Sequence, residues 1–420
     1  MKRTIGLVVL CASIVLADQA VSQRTLLNHQ LPKSSGRSAR VPGSPVGALP
    51  IVDFKMTAPS TGWVSTGNRL LWSSDNGTSW KDISPSTPDL TTPSDRKFSG
   101  VWFNDSNVGW VLYETEANDQ PPPSDPSWRP QLYHTYLAST ADGGATWRTV
   151  SEIPSPVPWQ EVMGGGTVSF ADSMHGWVDL SVLDGGVLYE TSDAGRTWRR
   201  CPADRGAGLT ILAVTAQDAF FAGGRDNSLY ATHDGGSTIQ EVSLPNPPGI
   251  ANGYFPIYSL PVFKSPLNGY EVVNYRGPIG SSSAAVLFES NDAGITWIPS
   301  RRFLNLPEGV EVDTGVADST WILPFKSLAN GITVRKLESG GEDSAPDYRG
   351  SRDFQSCRPS FATPSQGWIN CAGVLSSTTD GGSTWTTITP RTQRGVLTTA
   401  PTGVKQDTPC KPARSSGTSD

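Results

Sequence analysis

Short segments in which apolar and polar positions alternate are spread along most of the chain. Clear examples are residues 109–113, 176–180 and 187–191, which are rich in aromatic and β-branched side chains and are bounded by Gly, Pro, Asn or Asp. Alternation with a period of two is typical of β-strands with one buried face, and Gly and Pro at both ends mark turns. No segment combines a helical period with capping residues. The pattern therefore predicts an all-β protein built from many short strands.

One eight-residue pattern, [Ser/Thr]-x-Asp-x-Gly-x-[Ser/Thr]-Trp, recurs six times. The copies are centred on Asp75, Asp142, Asp193, Asp234, Asp292 and Asp380, with Ile239 in place of the tryptophan in the fourth copy. The Asp side chain can accept hydrogen bonds from backbone N–H groups two residues on, and the Gly can adopt a positive φ without steric cost. We expect a tight turn at each copy. These aspartates are assigned a structural role, because six equivalent catalytic or metal sites around one ring have no chemical rationale.

A second motif gives the period independently. An apolar residue is followed seven positions later by an aromatic residue that mostly has Gly before it, as in Phe103 to Trp110 and Phe170 to Trp177; in the fourth unit Val214 leads to Phe221, with Ala for Gly. A shortened copy, Val316 to Trp321, fills the one stretch without the Asp pattern. Repeats of about 40 to 50 residues are typical of propellers. We predict a seven-bladed β-propeller of four-stranded antiparallel blades over 51–391, with blades starting near 51, 98, 165, 209, 258, 311 and 356.

The two ends of the chain differ from this repeat. Residues 1–20 combine Lys2 and Arg3 with an apolar run and an Ala-x-x-Ala end, which predicts a cleaved signal peptide, no transmembrane segment after cleavage, and an exported, periplasmic or extracellular protein. Residues 21–50 and 392–420 are rich in Ser, Pro and Gly, which predicts a flexible linker and a flexible tail. The net charge is −6, and −7 once Lys2, Arg3 and Asp18 are removed, so we expect no nucleic-acid partner.

Four of the five cysteines remain after signal cleavage, in a compartment where pairing is the default. If residues 361–368 turn back as a hairpin, Cys357 and Cys371 lie opposite one another on adjacent strands, and we predict a disulfide between them. Cys201 and Cys410 would then pair only by elimination.

The repeat also accounts for most of the tryptophans. Of fourteen, nine belong to the two motifs and are interpreted as packing between blades. Trp72, Trp102 and Trp321 lie in or beside strands and are interpreted as core. Trp128 and Trp159 lie in Pro-rich segments, where both ligand binding and local packing stay open.

The variable face of the ring follows from the strand order. In a four-stranded meander, the turns between first and second strands and between third and fourth strands lie on one side, and the remaining loops on the other. From the second-strand aromatic residue to the repeated Asp the intervals are 12, 32, 16, 13, 22 and 12 residues, so length varies on the second side, where binding residues are expected. The candidate binding residues there are Trp128, Arg129, Trp159, Tyr254, Tyr275 and Arg276.

The repeated unit, Phe-x-Asp-x-x-x-Gly-Trp followed by Leu-x-x-Thr-x-Asp-Gly-Gly-x-Thr-Trp, resembles the Asp-box, or bacterial neuraminidase, repeat. This repeat is shared by sialidases, sortilin-type receptors, xyloglucanase-type glycosidases and the photosystem II stability/assembly factor family, and the chain most resembles the last of these. The resemblance implies a propeller with Asp-box turns between third and fourth strands and a protein-binding scaffold, while the fold alone does not define the activity.

Two functions from different classes therefore remain. The favoured one is an exported, non-catalytic propeller that binds a protein or other macromolecule through its variable face, without a cofactor or metal. The alternative is a carbohydrate-active hydrolase, for which two carboxylates about 5 to 9.5 Å apart are needed; Glu161, Asp179, Glu271 and Glu311 are the candidates. The arginine triad of sialidases has no counterpart, since Arg129-Pro130 and Arg358-Pro359 lack the flanking residues. The partner would be a protein or a glycan.

Overall fold

The structure is a computed structural model. It describes residues 51–390 apart from gaps at 86–96, 117–132, 155–161, 183–184, 203–208, 224–227, 246, 248, 251–252, 279–280, 307–310, 313–314, 318–319, 328–330, 337–356 and 372. The described residues all lie in the second of the two units into which the chain divides, after Pro42. The predicted signal peptide, linker and tail lie outside them.

The described secondary structure consists of strands, in agreement with the alternating pattern. Blade one comprises β1 Asp53–Ala58, β2 Thr61–Ser65, β3 Leu70–Ser73 and β4 Lys81–Asp82. Blade two comprises β5 Lys97–Phe103, β6 Gly109–Glu116, β7 Tyr133–Thr140 and β8 Arg148–Glu152. Blade three comprises β9 Val162–Phe170, β10 Gly176–Val182, β11 Gly185–Thr191 and β12 Arg199–Arg200. Blade four comprises β13 Leu209–Ala213, β14 Ala219–Gly223, β15 Ser228–Thr232 and β16 Gln240–Glu241.

The second half of the repeat is less regular. Blade five comprises β17 Phe255–Tyr258, β18 Val262–Phe263, β19 Gly269–Arg276, β20 Ser283–Ser290 and β21 Ile298–Leu306. An incomplete sheet follows, with β22 Glu311–Val312, β23 Gly315–Ala317, β24 Thr320–Ser327 and β25 Gly331–Lys336. The last blade comprises β26 Cys357–Phe361, β27 Gly367–Cys371, β28 Val374–Thr378 and β29 Thr386–Thr387.

These strands form a β-propeller of four-stranded antiparallel blades, as predicted, but the described residues form six complete blades rather than seven. Blade five is complete, with its first strand divided into β17 and β18, which both pair with β19. In the incomplete sheet the first strand is likewise divided, into β22 and β23, and β24 and β25 follow. Among the described residues this sheet has no fourth strand after β25.

The second motif needs a glycine because the phenyl ring of the phenylalanine on the neighbouring strand lies directly over that position. Phe103 pairs with Gly109, and a Cβ at Gly109 would lie 2.5 Å from the phenyl ring. The same arrangement recurs at Gly176, Gly269 and Gly367, under Phe170, Phe263 and Phe361. Side chains of directly opposed strand residues lie close together, so a phenyl ring can cover the backbone only where the partner has no side chain. The motif therefore records a cross-strand pair.

Blade four shows the same rule with smaller residues. Ala213 pairs with Ala219, so no phenyl ring has to be accommodated and alanine replaces glycine. The aromatic residue that follows is Phe220, which packs between blades four and five. The prediction had aligned Val214 and Phe221 with the motif, one residue too late. Phe221 faces the other side of the sheet, toward blade three.

The last blade packs against the first in the same way that other neighbouring blades pack against each other. Trp63, Trp110 and Trp177 each pack into the cluster formed with the following blade. Trp368 of the last blade packs in the same way against Phe54 and Met56 of blade one. The Met56 N–H also donates to Ser360 Oγ at 2.9 Å. Closure therefore uses side chains between two whole blades, and no strand is exchanged among the described residues.

All six Asp patterns form one hydrogen-bonded turn between the third and fourth strands. In the first, Asp75 Oδ1 accepts from the Ser79 N–H at 2.8 Å and Oδ2 accepts from the Ser79 hydroxyl at 2.6 Å, while Ser73 Oγ accepts from the Gly77 N–H. The other five aspartates make the equivalent bonds. The two residues after each Asp have positive φ. The carboxylate accepts from the N–H four residues on, rather than two as the sequence analysis expected.

The aspartates of these turns should make the propeller less stable at acidic pH. Hydrogen bonds from the Thr146 hydroxyl and N–H lower the pKa of Asp142 to about 2, and the pKa of Asp75, Asp193, Asp234, Asp292 and Asp380 is lowered in the same way. A carboxyl whose pKa is depressed by folding stabilises the fold above its unfolded pKa, and that contribution is lost as the pH falls through its folded pKa. We expect the melting temperature to fall between pH 4 and pH 2.

The Asp142→Asn variant tests this expectation. Its melting temperature should be below that of the wild type at pH 5, and the two should converge toward pH 2, as measured by thermal melts across this range. A constant difference at every pH would contradict the assigned role of the ionised carboxylate.

The predicted disulfide is confirmed, and the second pairing is not. Cys357 and Cys371 are opposite one another in β26 and β27 and are bonded, with a Cα–Cα distance of 4.2 Å. Cys201 is a free thiol, 1% exposed, packed against Trp177 between blades three and four. Burial raises the pKa of this thiol to about 12, which keeps it protonated and unreactive. Cys410 lies outside the described residues.

Candidate binding face

The loops between second and third strands, and between fourth and first strands, share one side of the propeller, which we call the loop face. Three of the six candidate binding residues, Trp128, Arg129 and Trp159, fall on this side in sequence but lie outside the described residues. The other three, Tyr254, Tyr275 and Arg276, all belong to blade five. The candidate residues that the structure describes therefore all lie in this blade.

The second and third strands of blade five form a long hairpin. β19 and β20 extend as paired strands through most of the 22-residue interval between Tyr270 and Asp292. The side chains alternate between the two surfaces of a strand, so neighbouring residues have opposite environments. Tyr275 and Arg276 therefore lie on opposite surfaces of β19.

Tyr275 is not available as a surface contact, contrary to the prediction. It is 6% exposed and belongs to the core cluster between blades four and five. Burial raises the pKa of its hydroxyl to about 12. Arg276, the next residue, is exposed. The prediction treated both as loop residues and therefore missed the difference between them.

Tyr254 has an intermediate position. It is half-buried and packs against the same core cluster, and its hydroxyl lies 3.4 Å from Ser282 Oγ. The ring also restricts Gly277, where an added Cβ would approach it to 2.9 Å. Tyr254 therefore supports the tip of the blade and leaves one edge exposed.

Phe255 was missed by the sequence analysis and is the most exposed large apolar side chain of the described residues, with 70% of its surface accessible. It begins β17 and lies directly opposite Arg276 in β19. The paired strands hold the two side chains in a fixed relation at the loop face. The signal in the sequence was the aromatic pair Tyr254-Phe255 within a segment rich in Gly and Pro.

Carboxylates beneath the loop face are occupied by backbone contacts. Asp179 Oδ2 accepts from the Leu209 N–H of blade four at 3.1 Å, and Glu114 Oε1 accepts from the Gly165 N–H of blade three at 2.5 Å. Glu114 also forms an ion pair with Lys97 at 2.7 Å. Asn274 makes the equivalent link from blade five, both donating to Val312 O and accepting from its N–H. In these three blades, a polar side chain of the second strand thus forms a hydrogen bond with the backbone of the first strand of the next sheet.

This arrangement bears on the hydrolase candidates. Asp179 is 1% exposed and Glu271 is fully buried, where its Oε1 accepts from the Ser259 N–H at 3.2 Å. Glu311 lies in β22, and Glu161 lies outside the described residues. Neither Asp179 nor Glu271 can contact a substrate in solvent. Their role is to satisfy backbone groups that would otherwise be buried without a hydrogen bond.

The described residues contain no candidate metal centre and no candidate membrane-spanning helix. Nowhere in this part of the chain do three or more His, Cys, Asp or Glu side chains form a group that could hold a metal ion. The same residues include no helix with the length and hydropathy needed to cross a membrane.

Comparison with solved structures finds proteins of several functions. The chain is similar to YCF48 from Cyanidioschyzon merolae, with 14% identity over 71% of this chain and 98% of that chain and a TM-score of 0.35. It is similar to an ancestral GH74 enzyme, with 12% identity over 83% of this chain and 48% of that chain and a TM-score of 0.49. It is also similar to the α-L-arabinofuranosidase Arb93A from Fusarium graminearum, with 14% identity over 72% and 94% of the two chains and a TM-score of 0.38.

No family model matches the chain. No curated protein matches it either. With identities below 25% and TM-scores below 0.5, these similarities do not define the function of the chain.

Proposed function

We propose that this chain is an exported, non-catalytic β-propeller with Asp-box repeats that binds a protein or other macromolecule through its loop face. The observation that carries the proposal is the pair of Phe255 and Arg276. Aromatic and arginine side chains are enriched among the residues that dominate protein interfaces. A pair held on rigid strands loses little conformational entropy on binding, which favours affinity.

Two other observations support the proposal. The Cys357–Cys371 disulfide fits an oxidising compartment, where such bonds persist. The carboxylates of Asp179 and Glu271 are buried and accept from backbone N–H groups, so these two candidates are not the accessible pair that a glycosidase needs. The hydrolase alternative therefore has no observation of its own among the described residues.

The test is capture of partners from the native envelope fraction by the immobilised mature protein, followed by titration of each purified partner. We expect the double variant Phe255→Ala and Arg276→Ala to bind at least about 30-fold more weakly, which corresponds to a loss of about 2 kcal/mol from the pair, the size typical of a central interface residue. The matched control is Leu267→Ala, which removes an apolar side chain that is 57% exposed at the opposite end of the same blade.

Equal binding by the double variant and the wild type would exclude this face of blade five. A panel of glycosides should give no turnover with the wild type. Turnover that is lost on replacing a single Asp or Glu would establish the hydrolase alternative instead.

A further inference from the structure

A groove of about 360 Å³ lies between blades four and five, on the side of the aspartate turns. Blade four supplies Ala231, Gln240 and Glu241, and the turn of blade five supplies Gly294 and Ile295. This site is on the opposite side of the propeller from the loop face. Its volume corresponds to about twelve water molecules at liquid density, so it has room for one long side chain.

The equivalent position between blades three and four is filled by a side chain of the protein itself. The Arg199 guanidinium reaches across to the turn of blade four, donating to Gly235 O at 2.6 Å and to Gly236 O at 3.4 Å. Its Nε donates to Glu190 Oε1 at 2.6 Å. Blade three thus provides both an arginine and the carboxylate that orients it, and the neighbouring turn provides two carbonyl oxygens.

The strand register explains why the groove between blades four and five is not filled in the same way. Glu190 is opposite Arg199 in the outer strands of blade three, and Ala231 is opposite Gln240 at the same place in blade four. Both large side chains are therefore replaced by smaller ones. Gly294, which lines the groove, holds the same place in its turn as Gly236, the second residue after the repeated Asp. The groove is the volume that an arginine occupies one blade earlier.

The lining has the charge that a cation requires. Asp234 and Glu241 contribute two carboxylates, and the lining contains no Lys or Arg. His233, the other ionisable side chain of the lining, has its Nδ1 2.8 Å from Asp218 Oδ1. Ile295, which is 65% exposed, offers an apolar contact for the aliphatic stem of a long side chain. Residues 51–390 contain 36 Asp and Glu against 22 Lys and Arg, so a basic partner is also favoured at long range.

We propose that this groove is a binding site for an arginine side chain of a partner polypeptide. The guanidinium takes the place that Arg199 has between blades three and four. Arginine is preferred to lysine because its planar group carries several donors in fixed directions, which suits adjacent carbonyl oxygens and a carboxylate together. The site is independent of the proposed loop-face function.

The test uses the full mature chain and a fluorescent pentapeptide with one central arginine flanked by serine and glycine. Matched peptides carry lysine or the uncharged isostere citrulline at the centre. We expect one binding site for the arginine peptide and at least tenfold weaker binding of the other two. The filled variant, Ala231→Glu with Gln240→Arg, restores the pair of blade three and should bind the arginine peptide at least tenfold more weakly and melt at a higher temperature.

A second double variant tests whether a new binding site can be created. Glu190→Ala with Arg199→Gln reproduces the blade-four pair in blade three, and we expect the stoichiometry of the arginine peptide to rise from one to two. Equal binding of the citrulline peptide, or unchanged binding by the filled variant, would overturn the proposal.

The chain also carries arginines of its own near its C-terminus. In the variant with Arg391, Arg394 and Arg414 all replaced by Gln, binding of the arginine peptide should be unchanged. A tenfold gain would mean that the C-terminal segment of this chain occupies the groove, and the assignment to a partner polypeptide would be wrong.

Discussion

The Trp368→Ala variant is expected to lose about 3 to 5 kcal/mol of its free energy of unfolding, as large-to-small changes of buried aromatic residues do. Trp368 has no accessible surface, and its ring centre is 5.5 Å from that of Trp80 in blade one. Its Nε1–H donates to Asn76 Oδ1 at 2.7 Å. The loss removes the contact that joins the last blade to the first, so the ring should open there before the rest unfolds.

Urea unfolding followed by tryptophan fluorescence and circular dichroism measures the effect. The Trp368→Phe variant keeps most of the apolar contact but loses the hydrogen bond to Asn76, and should cost about 1 to 2 kcal/mol. The control is Ile298→Ala, which removes a side chain that is 65% exposed and should change the stability by less than about 0.5 kcal/mol. A Trp368→Ala loss as small as that of the control would contradict closure through this joint.

Removal of the disulfide should be the second large effect, with a loss of about 3 kcal/mol for a closed loop of roughly 15 residues. Cys357 and Cys371 are separated by 14 positions and join β26 to β27. β26 also carries Ser360, whose hydroxyl accepts the Met56 N–H of blade one. A looser β26 therefore weakens the same closure that depends on Trp368.

The measurement compares the wild type with Cys357→Ser combined with Cys371→Ser, under oxidising and reducing conditions. We expect dithiothreitol to lower the melting temperature of the wild type to that of the double variant, and to leave the double variant unchanged. The control is Cys201→Ser, which leaves the disulfide in place and so keeps the response to dithiothreitol. If the reductant has no effect on the wild type, the bond does not contribute to stability.

Much of the fold could be predicted because it is local in sequence. The aspartate turns span five residues, from Asp75 to Ser79 in the first, and the Cys357–Cys371 bridge crosses one hairpin. Patterns of this kind are repeated in the chain, so each copy supports the others. The predicted number of complete blades was wrong at the sheet of β22 to β25, which lies in the one stretch of the repeat without the Asp pattern.

The errors in the candidate site have a physical reason as well. Tyr275 and Arg276 are neighbours in sequence, and only the length of β19 shows that one faces the core and the other the solvent. Phe255 was missed because its partner in the sheet, Arg276, is 21 positions away in sequence. The one-residue shift between Phe220 and Phe221 arose because an alanine pair replaced the usual phenylalanine and glycine.

The sequence by itself determined the repeat, because its motifs recur along the chain. It also determined the turns and the disulfide, since each depends on residues close together in sequence and on simple rules of backbone conformation. The tertiary structure decided what happens between sheets. The capping of Leu209 by Asp179, the joint of Trp368 with blade one, and the open groove beside Gln240 all bring together residues from different blades. The motifs indicated which tryptophans pack between blades, but the residues that each one meets depend on how twisted sheets face one another.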